Sequence, residues 1–428
     1  MSREVALAVD IGGTKIAAGL VDRDGRVLAV TEEPTPVGGG AERVADALAA
    51  AVERAGHPGA RLGAVGMSCA GPVDADAGTV SPVNIEDWRD FPLVERMSTL
   101  TPGVPVTLAC DGVAITAAEH AFGAARCHPD AVCLVVSTGV GGGLVLGGRV
   151  HSGPSGNAGH LGHIIVDLAG EPCSCGARGC VETMASGPAL VSWAVRHGWV
   201  ASAGRPPTGL DVAAAARSGD PVATAAFDRA GQALAAAVAA TAALVDVRVA
   251  VIGGGVAQAG EVLFAPLRSH LDRYARLRFI RGVAVVPAAL GRDACLVGAA
   301  HLAFEQDTRP WGSYAVVDAG SVHKTKQITV HSGGRLSYQR HHHRAEHWFV
   351  VAGAAEVTVA GHTRTLLPDD SIDIPIGAPH RVANPGPDDL VFVEVQTGNY
   401  FGEDDIERIE DDYGRQDSSE GIDTSWPQ

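Results

Sequence analysis

The sequence predicts two architectures in tandem, a mixed α/β portion followed by a small all-β barrel or sandwich. Three observations carry this expectation. Strands ending in glycine turns alternate with alanine-rich helices as far as Phe304. Beyond that point short alternating β runs are separated by Gly, Pro, Asn and Asp. Between the two, Glu305-Gln-Asp-Thr-Arg-Pro310 reads as a linker. The expected domains are therefore 1–305 and 306–415, with 416–428 as a disordered tail.

Val5 to Val9 is a short β-prone run ending in Asp10-Ile-Gly-Gly-Thr-Lys15, and Ile16 to Val21 follows directly, so a hairpin is expected with its glycines at the start of the second strand. Ala41 to Ala55 has the composition of a covering helix. Leu62 to Ser68 reads as a buried strand leading into Ala70-Gly-Pro-Val-Asp74. Pro105 to Ala109 is a strand, Val113 to Phe122 a helix, and Ala131 to Ser137 a strand ending at Thr138-Gly-Val-Gly-Gly-Gly143. Gly187 to Arg281 is helical apart from the strand Val249 to Ile252 and the turn Gly253-Gly-Gly255, and Ala294 to Phe304 is an apolar helix. The later β runs are Lys326 to His331, Trp348 to Val351, Ala355 to Val359, Ser371 to Ile374 and Leu390 to Val395. After Gly402 an acidic stretch with one helical turn is expected.

A chain of 428 residues can bury two or three cores. Its net charge of −16 argues against an extended nucleic-acid or anionic-membrane surface, and no apolar run reaches the roughly 20 residues of a membrane span. The start, MSREVALAVDIGG, is a poor signal peptide, so a cytoplasmic location is expected. Eight cysteines, three of them clustered with a histidine, suit a reducing compartment and a metal site better than a disulfide framework.

The cluster lies in the stretch Gly153 to Glu182, where His163, Cys173, Cys175 and Cys180 offer one imidazole and three thiols, a tetrahedral zinc set. The zinc is expected to support a substrate pocket and to do no chemistry; His160 stands beside it. Three glycine turns, Gly12-Gly13, Gly139 to Gly143 (Gly141 among them) and Gly253-Gly254-Gly255, each follow a strand and can bring backbone N–H groups against a polyphosphate. Ordinary strand-to-turn glycines would look the same. Asp10 is placed to hold Mg²⁺ through water, and Thr14, Lys15 and Thr138 to meet nucleotide phosphates. Asp111 follows a strand and opens a helix; it is either a helix N-cap or a general base for a sugar hydroxyl attacking a γ-phosphate.

In the second portion Gln339 and His341 alternate and so face one side of a strand. With Glu346 and His380 they make an N/O ligand set suited to Zn²⁺ or another divalent first-row metal. His342 and His343 read as a solvated loop.

Taken together, DIGGTK at 10–15, SCAGPVD at 68–74, Asn84 with Trp88, CDGVAITAAEHAFG at 110–123 and the His163-x9-Cys-x-Cys-x4-Cys pattern resemble the ROK family of sugar kinases over about residues 4–304. The resemblance implies a two-lobed actin-like ATPase (ribonuclease H-like) fold with ATP and Mg²⁺ in its cleft, Asp111 as catalytic aspartate, and Gly71, Asn84, His160, His163 and Glu182 at the sugar. There are departures. His160 stands where most of the family has glutamate, which resembles bacterial N-acetylmannosamine kinases and points to a manno-configured sugar, and Cys110 stands where the family often has Asn. Members that are repressors carry an N-terminal DNA-binding extension, for which Asp10 is expected to leave no room.

Residues 309–415 fit both cupin (double-stranded β-helix) motifs and resemble the isomerase half of type II phosphomannose isomerases, through Arg309-Pro-Trp-Gly-Ser313, Ser337, Arg344-Ala-Glu-His-Trp348, His380 to Pro385, Glu394-Val-Gln396, Gly402-Glu-Asp-Asp-Ile406 and Asp411-Asp-Tyr-Gly-Arg415. By that resemblance the metal polarises a carbonyl and a hydroxyl while a proton moves between C1 and C2. Arg381 is the candidate for stabilising the phosphate or enediolate, with Lys326 second. The combined expectation is a bifunctional enzyme making mannose 6-phosphate from mannose and ATP, then fructose 6-phosphate, as a dimer or tetramer. The alternatives are an N-acetylmannosamine, glucose or fructose kinase whose cupin only binds a phosphosugar, a fructokinase feeding the isomerase backwards, and a non-catalytic sugar-sensing regulator.

Overall fold

The first strand, β1 (Glu4–Ile11), is buried along its length from Val5 to Val9, as a strand covered on both faces must be. It belongs to a computed structural model that describes residues 4–56, 61–201, 205–305, 307–309, 311–320, 322–402 and 405–412. The chain divides into two units, Met1–Glu305 and Gln306–Gln428.

In the first unit β1 turns back into β2 (Lys15–Asp22) and β3 (Val27–Pro34), the expected hairpin and one strand more. Helix α1 (Ala41–Ala55) covers them through Val44, Leu48, Ala51 and Ala55. Strand β4 (Arg61–Cys69) runs parallel to β1; the short pair β5 (Val73–Asp74) and β6 (Thr79–Val80), helix α2 (Leu93–Leu100) and the parallel strand β7 (Val106–Cys110) follow. The sheet order is β3-β2-β1-β4-β7. Helix α3 (Asp111–Phe122) leads to a second sheet of β8 (Ala131–Val136), β9 (Val140–Leu146), β10 (Arg149–His151) and, after four helices, β11 (Val249–Gly253) and β12 (Ala284–Pro287), ordered β10-β9-β8-β11-β12.

Those helices are α4 (Glu182–Ala185), α5 (Gly187–Arg196), α6 (Gly209–Arg217) and α7 (Pro221–Val245); α8 (Glu261–Tyr274) lies between β11 and β12. Helix α7 starts sharply because Asp220 accepts from the N–H groups of Val222 and Ala223 while Pro221 occupies the first turn. The last helix, α9 (Ala294–Glu305), returns to the first sheet and crosses α3 so closely that a side chain at Gly298 would lie 1.7 Å from the Ala114 carbonyl oxygen. Only glycine allows that approach.

The second unit packs two antiparallel sheets face to face. Its strands are β13 (Asp307–Arg309), β14 (Gly312–Ala319), β15 (His323–Val330), β16 (Tyr338–His341), β17 (Arg344–Ala352), β18 (Ala355–Val359), β19 (His362–Leu366), β20 (Ser371–Ile374), β21 (His380–Ala383), β22 (Leu390–Gly398) and β23 (Ile406–Glu410). The sheets are ordered β13-β14-β15-β22-β17-β20 and β19-β18-β21-β16-β23. Trp348, Phe392, Val330, Val357 and Val382 fill the space between them.

Two expectations change here. The linker contains a strand, since Asp307–Arg309 pairs with β14. The helical turn expected after Gly402 is instead strand β23, held on β16 by register pairing and by ion pairs such as Arg340 with Glu407. Pro310, residues 403–404 and 413–415 of the resemblance, and the tail 416–428 lie outside the described residues. Among the described residues no helix is long and apolar enough to cross a membrane.

Candidate functional site

In the first unit the predicted residues converge at the C-terminal ends of β1, β4 and β7, where ligands bind in open α/β sheets. Asp10 ends β1 opposite Ser68, whose hydroxyl donates to Asp10 Oδ1 at 2.6 Å. Burial raises the Asp10 carboxyl, and the charge of Asp111 raises it further. Asp111 is the first residue of α3 but not its cap, because Cys110 occupies that position and no side chain caps the helix. Its Oδ1 accepts the Gly112 N–H at 2.6 Å and the Cys110 thiol at 3.4 Å. Burial lifts the Asp111 carboxyl above the usual range, with those two donors pulling it back. The thiols of Cys69, Cys110 and Cys295 around the pair are all pushed up by burial, so none is a ready nucleophile.

The segments around this pair leave no room to spare. A side chain at Gly71 would meet His160 Cε1 at 2.6 Å and Cys110 Sγ at 3.2 Å, and one at Gly141 would stand 3.7 Å from Asp111 Oδ1. A side chain at Gly13 would likewise meet Asn84, at 2.8 Å. Asn157 fixes His160 from behind: its Oδ1 lies 3.4 Å from His160 Nε2 and accepts the Val73 N–H at 2.9 Å. Burial, and then His163, lower the pKa of His160, favouring a neutral imidazole. Glu182 Oε2 accepts the Val140 N–H at 2.9 Å, tying the start of α4 to the turn Thr138 to Gly141. Thr14 is exposed, and Lys15 pairs with Glu32 at 2.5 Å.

His163, Cys173, Cys175 and Cys180 bring their ligand atoms within 4.8 Å of one another. Cys173 Sγ lies 3.7 Å from His163 Nδ1, and Cys175 Sγ 3.8 Å from Cys180 Sγ. Three thiols and an imidazole so close fit a structural zinc.

A cavity of about 650 Å³ is lined by Thr138 and Gly255 together with Pro188, Val191, Leu210 and Val256. The apolar wall was not foreseen, because nothing in alanine-rich α5 and α6 marks it. Gly254 has φ +89° and faces the Val136 carbonyl oxygen at 2.3 Å from where a Cβ would be; Gly253 lies against Ala288. This turn carries backbone to the cavity mouth.

In the second unit His341, Glu346 and His380 place their ligand atoms within 4.8 Å. His380 Nδ1 bonds the Ala378 carbonyl at 2.9 Å, while its buried Nε2 has no hydrogen-bond partner and stands 3.4 Å from Glu346 Oε2. An imidazole oriented from behind with its other nitrogen free is the usual setting of a metal ligand, so the residues fit the implied metal. Burial pushes the Glu346 carboxyl up, but the neighbouring imidazoles of His341 and His380 outweigh it and leave it well below the usual range. Gln339 pairs in register with His380, and its Oε1 accepts from Ser337 Oγ at 2.7 Å. His342 pairs with Glu407 and His343 meets the Tyr400 ring, both exposed as expected.

Arg381 is a correction. Successive residues of a strand face opposite sides, so with His380 turned inward Arg381 turns out, against the Tyr338 ring and Glu410. The cations that line the pocket are Lys326, Arg344 and Arg408. Arg344 is engaged with Glu346, His341 and the Gly402 carbonyl. Glu394 also lines it, accepting from Trp348 Nε1 at 3.1 Å and Gln396 Nε2 at 2.7 Å. Burial, then the like charge of Glu346, push the Glu394 carboxyl up to about 7.

Comparisons with known proteins agree with this division. Residues 6–306 match the ROK family, and residues 299–411 match the family described as mannose-6-phosphate isomerase C-terminal. A glucokinase of Streptomyces coelicolor is 37% identical over 318 residues, covering 71% of this chain and 98% of that protein. The crystal structure of a ROK family glucokinase from Streptomyces griseus with glucose and AMPPNP is 38% identical at a TM-score of 0.62, covering 70% of this chain and 99% of that one. The alginate biosynthesis protein AlgA of Pseudomonas aeruginosa is 58% identical over 107 residues, which are 25% of this chain but only 22% of AlgA. The first unit is thus an actin-like ATPase fold and the second a cupin, as expected.

Proposed function

The chain belongs to the ROK family, with a phosphomannose isomerase-like unit behind its sugar kinase unit, and on that premise we propose that it phosphorylates mannose at O6 and isomerises the product to fructose 6-phosphate. The observation that carries the proposal is that one chain holds both a cleft built around Asp111 and a pocket built around His341, Glu346 and His380.

In the first unit Asp111 accepts the proton of the sugar 6-hydroxyl as that oxygen attacks the γ-phosphorus. Its raised pKa makes it a stronger base than an exposed carboxylate, and the Gly112 N–H holds the accepting group in place. Asn84, Gly71, His160 and Glu182 orient the hexose. His163 and the three cysteines would hold zinc, which would tie together the loop between His160 and Glu182. The turns at Gly12-Gly13, Thr138 to Gly141 and Gly253 to Gly255 would hold the phosphates of ATP, and the wall of Pro188, Val191 and Leu210 would take its base. Asp10 would hold Mg²⁺, which neutralises phosphate charge. In the second unit Gln339, His341, Glu346 and His380 would hold a divalent metal, which polarises the substrate's carbonyl and hydroxyl.

A second reading, glucose as the kinase substrate, is favoured by the glucokinase relatives at 37–38% identity. A coupled assay decides. Purified protein is given mannose, N-acetylmannosamine, glucose or fructose with Mg-ATP, and ADP and fructose 6-phosphate are followed. Both products are expected from mannose; ADP from mannose without ketose refutes the two-step proposal, and ADP from glucose alone selects the second reading. Asp111→Ala is expected to stop ADP release yet spare conversion of added mannose 6-phosphate, and His380→Ala to do the reverse.

A further inference from the structure

The stretch from Asp272 to Arg281, at the end of α8 and just beyond it, carries a charge opposite to that of the chain. It holds four arginines, Arg273, Arg276, Arg278 and Arg281, against one acidic residue, a net +3 in a protein of −16. All five side chains are exposed, and among the described residues none of them is ion-paired. The dipole of α8 accounts for Arg273 in its last turn, but its influence has died away well before Arg281.

Arg276 and Arg281 line a cavity of about 380 Å³ together with Asp272, Gly282 and Val283, a volume in the range of small-ligand pockets. Arg281 is fixed there, because its Nε donates to the Arg276 carbonyl at 3.2 Å. Its two terminal nitrogens have no partner among the described residues. A guanidinium held from behind with its outer nitrogens open suits the oxygens of a phosphate. Asp272 at the same cavity would repel a bare phosphate, yet it can accept from a hydroxyl. The lining as a whole therefore suits a phosphate carried on a polyhydroxylated molecule.

This cavity stands apart from the kinase cleft. Strands β11 and β12 run parallel with Val249 opposite Ala284, and Gly282 and Val283 immediately precede Ala284. The turn Gly253 to Gly255 lies at the other end of β11, about 13 Å along the strand.

We propose that the cavity at the end of α8 binds a small sugar phosphate, with Arg276 and Arg281 on the phosphate and Asp272 on a hydroxyl. The proposal goes beyond the reactions of the two units and does not depend on either.

The test is calorimetry on the full chain with the kinase cleft filled by a non-hydrolysable ATP analogue. The probes are inorganic phosphate and glucitol 6-phosphate, which has no carbonyl to isomerise. Arg276→Gln and Arg281→Gln are each expected to weaken one glucitol 6-phosphate binding event by about tenfold to a hundredfold, while any binding in the cupin pocket is the same in parent and variants. Asp272→Asn is expected to weaken glucitol 6-phosphate and tighten inorganic phosphate. Arg248→Gln removes a guanidinium paired with Asp246 at the same edge of the sheet, and is expected to bind as the parent does. Melting temperature and ADP release equal to the parent's show that a variant is folded. If Arg281→Gln misfolds, Arg276→Gln decides, since the Arg276 side chain makes no hydrogen bond or ion pair among the described residues. Unchanged affinity in a folded Arg276→Gln variant, an equal loss from Arg248→Gln, or inorganic phosphate bound by the parent as tightly as glucitol 6-phosphate overturns the proposal. Loss of the cupin reaction with the arginine effects intact would sink the isomerase reading and leave this site standing.

Discussion

Replacing Gly71 with alanine tests how the sugar pocket is assembled. The backbone there is not in the left-handed region, so alanine is conformationally acceptable and the whole effect is steric. The new methyl would lie 2.6 Å from Cε1 and 2.9 Å from Nε2 of His160. Carbon contacts settle at about 3.5–4.0 Å, so the imidazole has to retreat by about 1 Å. A positioning error of that size can cost about a hundredfold in rate, or about 2.7 kcal/mol of transition-state stabilisation. The expected result is a fall of that order in kcat/KM for the hexose, read as ADP release, with conversion of added mannose 6-phosphate unchanged as an internal control. In a His160→Ala background the methyl has room, and Gly71→Ala is expected to cost no more than about threefold. An undiminished kcat/KM in the single variant would refute the contact, and an equal loss in both backgrounds would move the cause to Cys110, whose sulfur lies 3.2 Å from the same methyl.

Three further outcomes follow from the geometry. Glu119, fully buried, accepts the backbone N–H groups of Ala124, Ala289 and Leu290 at 2.7–3.1 Å; Glu119→Ala strands all three and is expected to destabilise the first unit by about 4 kcal/mol in urea unfolding, where a loss below about 1 kcal/mol would show that water replaces the carboxylate. Cys180→Ser is expected to lower the zinc content by one per chain and to stop ADP release while isomerisation persists; full zinc content would remove Cys180 from the ligand set. In metal-free protein Glu394, raised to about 7, holds a proton that the unfolded chain releases above about pH 4.5, so its contribution to stability falls as pH rises through that window. His380 acts in the same direction and His341 in the opposite one, so the difference between parent and Glu394→Gln isolates the carboxyl: the variant is expected to gain about 3 kcal/mol on the parent between pH 5 and pH 8, and a flat difference would contradict the assignment.

Both groups of candidate metal ligands could be singled out in the sequence because most of their residues lie close together in the chain. His163 and its cysteines fall within one loop, and Gln339, His341 and Glu346 on the consecutive strands β16 and β17. The glycine turns were legible because each marks the end of a strand. Arg381 was misplaced because adjacency to His380 in the chain looked like adjacency in space, although the strand period already sends neighbours to opposite faces. Strand β19 was not legible, since His362 to Thr365 are all exposed and show no alternation of apolar and polar residues. The convergence of Gly71, Cys110, Asp111 and His160 left no local trace either, because it depends on how β4, β7 and a loop beyond β10 end beside one another.

Helix α3 touches β4 and β7 of the first sheet and β8 and β9 of the second, is crossed by α9, and is tied at its far end by Glu119 to the loop after β12. An element gripped from both sides in this way behaves as an axle between two lobes. If the lobes swing to admit and enclose a nucleotide and a sugar, the turns at Gly12 and Gly254 travel, while Asp111, at the end of the axle, moves least. The proton acceptor would then stay in register with the sugar hydroxyl through the whole stroke, and the moving parts would bring the phosphate to it.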